Sequence, residues 1–249
     1  MKKTMWILSI ISIVLTAVAL QFMPDLVPMH YNAAGEIDRW GSKYENFIFP
    51  ILIIVFALFW HLLILYYEKK SAKTTIEKEC AEILSNIKVL KIVGVSVTCM
   101  FVVMQGFFLY SAYVEANINA TSACMDIGKL TCILSGALLI VIGNFMPKTK
   151  KNPVVGVRVK WSMYNDTTWM KSNRFGAVAL MITGVLIVMT SVFVKENVAL
   201  LCMIAYIIAD MFFTLIYSYR VYKRELKKRI KVYNGCTIQN CKRLSVWEK

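Results

Sequence analysis

Histidine occurs only twice in this 249-residue chain. That leaves little for acid–base catalysis and less for a metal centre. H-E-x-x-H, G-x-S-x-G, the Walker A loop and C-x-x-C are all missing. Their absence removes the common zinc proteases, α/β-hydrolases, P-loop nucleotidases and thiol–disulfide exchangers. Asp210 has no second aspartate in an apolar run, which argues against an aspartyl-protease dyad. The chain is therefore expected to be no enzyme and to need no cofactor. Seven cysteines make an odd set. Cys99, Cys132 and Cys202 lie in apolar runs as packing residues, and Cys124 stands alone in a loop. Cys236 and Cys241 form C-x4-C with no histidine nearby, a poor zinc signature. No disulfide framework and no metal site is expected.

Acidic residues are also scarce, 15 against 29 basic ones, for a formal net charge of +14. In a soluble chain that balance suggests nucleic acid. Here the basic residues gather in alternate loops, so anionic lipid is the expected partner and direct nucleic-acid binding is not. The chain is 58% hydrophobic, against about 45–50% for soluble domains. Mean hydropathy is +0.57.

The apolar excess falls in six blocks, 6–23, 47–67, 89–114, 127–146, 175–194 and 198–219. Each is long enough to cross about 30 Å of hydrocarbon as a helix. Ala17-Val18-Ala19 resembles a signal-peptidase site, but the run continues through Leu20, Phe22 and Met23, so an uncleaved first span is expected. The amino terminus, 68–88, 147–173 and the stretch after Arg220 are rich in Lys and Arg, while 24–46, 115–126 and 195–197 are poor. The two sets alternate without violation if both termini are cytoplasmic. The reading is an all-α, six-span protein of the bacterial cytoplasmic membrane.

It divides into 1–67, two spans with an outer loop at 24–46; 68–126, a cytoplasmic amphipathic segment with the third span and a short outer loop; 127–219, with a cytoplasmic loop at 147–173; and a basic tail, 220–249. In 68–88, Thr74 and Glu77 have capping-box spacing, and Ile76, Cys80, Ile83, Leu84 and Ile87 recur at helical intervals. This predicts a short surface helix or an extension of the third span. The tail carries Lys223, Arg224, Lys227, Lys228, Arg229 and Lys231, which would carry the last helix into the anionic-lipid zone. Weak order is expected from 234 onward.

The two long loops echo each other. One follows Phe22-Met23-Pro24 and the other Phe145-Met146-Pro147. Each then sets a glycine five residues before a tryptophan with a basic residue ahead of it, Gly35 to Arg39-Trp40 and Gly156 to Lys160-Trp161. An inverted 3+3 repeat with one loop on each face accounts for this, as does coincidence among a handful of residues.

Candidate functional residues fall in three groups. In the outer loop, His30, Asn32, Glu36, Asp38, Arg39 and Trp40 would gather around a cation or peptide, or simply form a compact turn at Asn32–Gly35 with Trp40 as an interfacial anchor. In the inner loop, Arg158 and Lys160 alternate with Val157, Val159 and Trp161, predicting a short strand that packs under the bundle or docks a cytoplasmic partner; as pure topology signal the charges need no partner. Within the spans, His61 and Asp210 lie at similar depth and would either pair or bond to neighbours. An isolated charge there costs about 2.5 kcal/mol or more. Gln105 and Asn144 read as interhelical hydrogen-bonders.

Gly143-Asn144, Pro147-Lys148, Asn152, Gly156-Val157-Arg158, Trp161, Asn165, Trp169 and Arg174 resemble the signature of the SdpI family of bacterial membrane proteins. The segment from Pro28 to Asn32, with Gly35 to Lys43, resembles the small uncharacterised domain often found ahead of it. One departure is Ser172-Asn173-Arg174, where the family pattern has Thr-His-Arg, so a role that needs that histidine does not carry over. The family's namesake protects a sporulating bacterium from a secreted toxic peptide and holds a cytoplasmic repressor at the membrane. The resemblance therefore implies toxin immunity and signalling, with the outer-loop residues meeting toxin. It also implies Asn152, Gly156, Arg158, Lys160, Trp161, Asn165, Trp169 and Arg174 as the surface for a transcriptional repressor. The competing class is a small proton-coupled transporter using His61 and Asp210. A membrane-embedded enzyme ranks last.

Overall fold

The computed structural model describes residues 1–32 and 34–244, with side chains through 230. Among the described residues six α-helices make up the fold: α1 Lys2–Phe22, α2 Ile48–Lys73, α3 Glu77–Ile118, α4 Ile127–Phe145, α5 Asp166–Phe193 and α6 Glu196–Leu244. All six are long and apolar enough to cross a membrane. Each contains or nearly coincides with one of the six apolar blocks, and the chain is a multi-pass membrane protein. The physical cause is that hydrocarbon offers no partner for amide groups, so each crossing segment satisfies its own as a helix.

Which face of each helix is buried follows membrane logic. In α1 the buried stripe is Met5, Ser9, Ser12, Thr16 and Leu20. Ile7, Ile10, Val14 and Val18 on the other face are exposed. Small and hydroxyl side chains sit between helices, and branched aliphatics face lipid. The α4–α5 contact shows the same preference. A Cβ on Gly136 would lie 2.7 Å from the Gly184 carbonyl oxygen, so only glycine permits this approach.

Helices α1, α2 and α3 pack together, α4 and α6 pack on α5, and α3 against α4 joins the two halves. The Lys/Arg-rich segments meet at one end. There Lys2 and Lys91 both reach Glu68, at 2.6 and 2.8 Å, and Lys171 reaches Glu225 at 3.0 Å. The basic-poor segments form the opposite end.

Four expectations change. Of the two readings of 68–88 the surface helix is not formed and the extension of the third span is: the segment is the end of α2 and the first turns of α3, which runs for 42 residues. Thr74 does not cap α3. Its hydroxyl donates to the Lys70 carbonyl at 2.9 Å and closes α2, while Ile76 holds the N-cap position of α3. Secondly, the all-α reading gives the outer loop no strands. The loop is an antiparallel hairpin, β1 Leu26–Tyr31 and β2 Ile37–Ser42, with register shifts around His30. Gly35 turns it at φ +80°. The Asn32 side-chain oxygen accepts from the Ala34 and Glu36 amides at 2.9 and 3.0 Å, the turn chemistry its sequence predicts. The Ile37 amide donates to the Thr121 carbonyl and the Ala123 amide to the Gly35 carbonyl, both at 2.9 Å, stitching the hairpin to the α3–α4 connection.

Thirdly, residues 157–161 form no strand. Side chains take the backbone groups a neighbouring strand would have taken, as described below. Fourthly, α6 continues to Leu244, through much of the stretch expected to be weakly ordered. Residues 245–249 and the side chains of Cys236 and Cys241 lie outside the described residues. The echo between the loops does not extend to their local structure, since one is a hairpin and the other is strandless.

Candidate functional site

The hairpin is held to the bundle by a carboxylate that the sequence reading left at the edge of a loop. Glu115, near the end of α3, is fully buried. It accepts from the Tyr31 hydroxyl at 2.6 Å, the Ser111 hydroxyl at 2.6 Å and the Cys124 amide at 2.7 Å. One side chain thus ties β1, α3 and the α3–α4 connection. Burial, followed by the hydrogen bond to Glu115, pushes the Tyr31 hydroxyl pKa well above its usual value. A signal was present in the sequence: Ser111 and Glu115 stand four apart on one helical face at the end of an apolar run.

Four of the six outer-loop candidates pair with one another across the hairpin surface, and a fifth pairs with Glu45. His30 meets Asp38 at 2.6 Å, Asn32 donates to Glu36 at 2.8 Å, and Arg39 pairs with Glu45. Trp40 is exposed. No cluster of three metal-ligating side chains occurs among the described residues. Below the hairpin lies a cavity of about 390 Å³, within the range of small-ligand sites. It is bordered by Pro28, Met29, His30 and Tyr31 of β1, by Glu45, Asn46, Ile48 and Phe49 entering α2, and by Gln105, Phe108, Leu109 and Ala112 of α3. Its floor is apolar except for Gln105. That amide donates to the Ser12 carbonyl at 3.0 Å and is also hydrogen-bonded to the Ser12 and Thr16 hydroxyls, joining α3 to α1.

At the opposite end the loop 149–165 is built by side chains. Asn152 accepts from the Val154 and Val155 amides, both at 2.8 Å, and donates to the Lys150 and Val155 carbonyls at 2.8 and 3.0 Å. Asn173 of α5 accepts from the Val157 amide at 2.9 Å. The Ser162 hydroxyl bonds the Val157 and Val159 carbonyls at 2.6 and 2.9 Å. The Trp169 indole donates to the Thr149 carbonyl at 3.0 Å. Asn165 caps α5 in a box with Thr168. These bonds supply what a strand ladder would have supplied, which is why alternation in 157–161 yields none.

The eight inner-loop candidates thus divide. Asn152, Gly156, Asn165 and Trp169 build the loop, while Arg158, Lys160 and Arg174 are exposed. Trp161 is between these groups. Its indole nitrogen is buried with no hydrogen-bond partner among the described residues, and its ring meets Tyr219 edge-on at 5.7 Å. Ser162, Thr168 and Asn173 were missed as loop builders.

The intramembrane polar residues do not converge. The Trp6 indole donates to His61 Nδ1 at 3.2 Å. Asp210 faces Thr214 of its own helix at 3.5 Å, beside a cleft of about 260 Å³ lined also by Arg158 and Gly176. Among the described residues no hydrogen bond or ion pair joins His61 to Asp210, so the proton-relay pair is not formed. Asn144 is exposed on α4 and lies outside any interhelical bond among the described residues. Its position one residue after Gly143, which is the buried contact, turns it outward.

Comparison with known proteins matches these two ends. Residues 148–218 match the SdpI/YfhL protein family, and residues 7–54 match a domain of unknown function, DUF1648. Over 148–218 the chain is similar to the SdpI family. It is 25% identical over 228 residues to the immunity protein SdpI of Bacillus subtilis (strain 168), covering 90% of this chain and 98% of that protein. No solved structure matches it. The SdpI match takes in the basic-end loop, α5 and the membrane part of α6. The DUF1648 match takes in most of α1, the hairpin and the start of α2.

Proposed function

We propose that this chain, similar to the SdpI family, confers immunity to a secreted peptide toxin and reports the toxin's presence across the membrane. The hairpin end faces outward and the Lys/Arg-rich end faces the cytoplasm, as the positive-inside bias requires. Toxin, an amphipathic peptide, binds at the hairpin and the cavity beneath it. The surface of Arg158, Lys160 and Arg174 with Trp161 holds a cytoplasmic transcriptional repressor. Anionic lipid meets the basic stretch of α6.

The observation that carries this reading is the roofed cavity at the hairpin end of a chain that aligns with nearly the whole of a named immunity protein. Ligand would change the inner surface only by binding two states of the bundle unequally.

The test is survival of toxin-sensitive cells that express the chain, challenged with the secreted peptide at matched membrane abundance. Protection is expected. Ile48→Trp, which fills part of the cavity from an exposed position, should reduce it. Absence of protection by a correctly inserted wild type overturns the immunity reading. Arg158→Ala and Trp161→Ala should lose repressor recruitment while protein level stays normal; unchanged recruitment in both sinks the inner-loop role.

A further inference from the structure

Helix α3 lies outside both matched segments, 7–54 and 148–218, yet it is hydrogen-bonded to the characteristic loop of each. At one end Glu115 holds Tyr31 of the hairpin at 2.6 Å. At the other, the Ser85 hydroxyl donates to the Lys148 carbonyl, and Asn86 Oδ1 accepts from the Lys150 amide, both at 2.8 Å. Between Asn86 and Glu115 the helix is uninterrupted, a span of about 44 Å at 1.5 Å per residue. The grip at the lower end is more than two hydrogen bonds. Val154 and Val155 of the loop pack against a core that includes Ile83, Ile87 and Leu90 of α3. Asn86 is buried, so its bond to the loop is shielded from water that would otherwise replace it.

We propose that α3 is the coupling element of this protein, with Ser85 and Asn86 as positioning residues that set the motif loop according to the state of the hairpin latch. A rigid helix bonded at both ends cannot shift or rotate at Glu115 without moving Asn86. Helix shifts of about 1–2 Å are the usual amplitude of such devices. That amplitude is enough to break a 2.8 Å bond to the Lys150 amide. The loop then loses the anchor nearest Asn152, whose side chain folds the next turn. The proposal deepens the two-loop reading above and rests on its claim that the loops act together. Its test requires neither toxin nor repressor, so either can fail alone.

The experiment is hydrogen–deuterium exchange on the full chain in lipid nanodiscs, comparing wild type with Tyr31→Phe, which removes one hydroxyl from the latch. Exchange should rise at the hairpin and also in 148–157, by about fivefold or more, the lower end of ordinary coupling between sites. Ser111→Ala, a milder cut at the same carboxylate, should give the same pattern if Tyr31→Phe fails to fold. Adding Asn86→Ala should abolish the loop's response to Tyr31→Phe, and Asn86→Asp, which keeps an acceptor for the Lys150 amide, should restore it. A rise confined to 24–46 and 119–126 in both latch variants overturns the proposal, as does an undiminished loop response in the Asn86→Ala background.

Discussion

The hairpin and the motif loop begin alike and are stabilised in opposite ways. Both follow Phe-Met-Pro, and both carry a glycine five residues before a tryptophan. In the hairpin the backbone pairs with itself, and the polar side chains pair with one another on an exposed surface. In the motif loop Asn152, Ser162 and Asn173 are buried and spent on the backbone, while Arg158, Lys160 and Arg174 are exposed, Arg158 also donating to the Pro153 carbonyl. Polar residues that hold a fold and polar residues that face a partner are thus intermixed in the same motif. A shared motif residue is not by that fact a contact residue.

The two glycines give the largest test of this contrast. Gly156 has φ +123°, and a Cβ there would run into Asn173 Oδ1 and the Trp169 ring. Gly35 has φ +80° with nothing within 4 Å of its would-be Cβ. Gly156→Ala should therefore cost strain of about 1–3 kcal/mol plus the clash. Gly35→Ala should cost only about 1–2 kcal/mol of left-handed strain. Thermal unfolding in detergent should rank them in that order, and equal costs would erase the distinction between the loops.

The two asparagines come next. Asn152 and Asn32 each organise a turn, but Asn152 is buried and Asn32 is half-buried. Loss of Asn152 removes the partner of two amides and two carbonyls in a part-buried loop, so Asn152→Ala should destabilise by about 2–3 kcal/mol. Water can replace much of what Asn32 does, and Asn32→Ala should cost roughly 1 kcal/mol or less. Smaller still is the His30–Asp38 pair, both partners largely exposed. Asp38→Ala should change stability by about 0–1 kcal/mol. If toxin protection falls with Asp38→Ala while the melting temperature holds, that carboxylate contacts ligand.

What the sequence made legible, and what it hid, follows from the same physics. The six spans are legible because hydrocarbon imposes length and composition on a helix independently of its neighbours. The alternation of basic loops is legible for a similar reason. The hairpin was hidden because Leu26-Val27-Pro28-Met29-His30-Tyr31 lacks clean alternation and carries a proline. What orders it is a distant carboxylate, Glu115, and the Thr121–Ala123 segment. The motif loop misled in the other direction. Val157 to Trp161 alternates well, but a strand needs a neighbouring strand, and Asn173 and Ser162 bond the backbone first. Asn86 looked like one more polar residue in a basic stretch, and only the folded chain shows it beneath Lys150.

Trp161 is where the contrast between building and facing residues is sharpest. Its indole nitrogen is buried without an acceptor among the described residues, whereas Trp169, eight residues on, donates to the Thr149 carbonyl. A buried donor left unpaired carries a desolvation cost of about 1–3 kcal/mol. Trp161→Phe removes the donor and keeps most of the ring that packs on Tyr219. It should therefore leave stability unchanged or slightly raised, while Trp169→Phe should lower it by about 1 kcal/mol. If the donor is held in reserve for a repressor, Trp161→Phe weakens recruitment at equal protein level, because the acceptor it meets in the complex is lost. Unaltered recruitment would put Trp161 with the residues that only build the loop, and leave the three exposed cations to carry the docking surface.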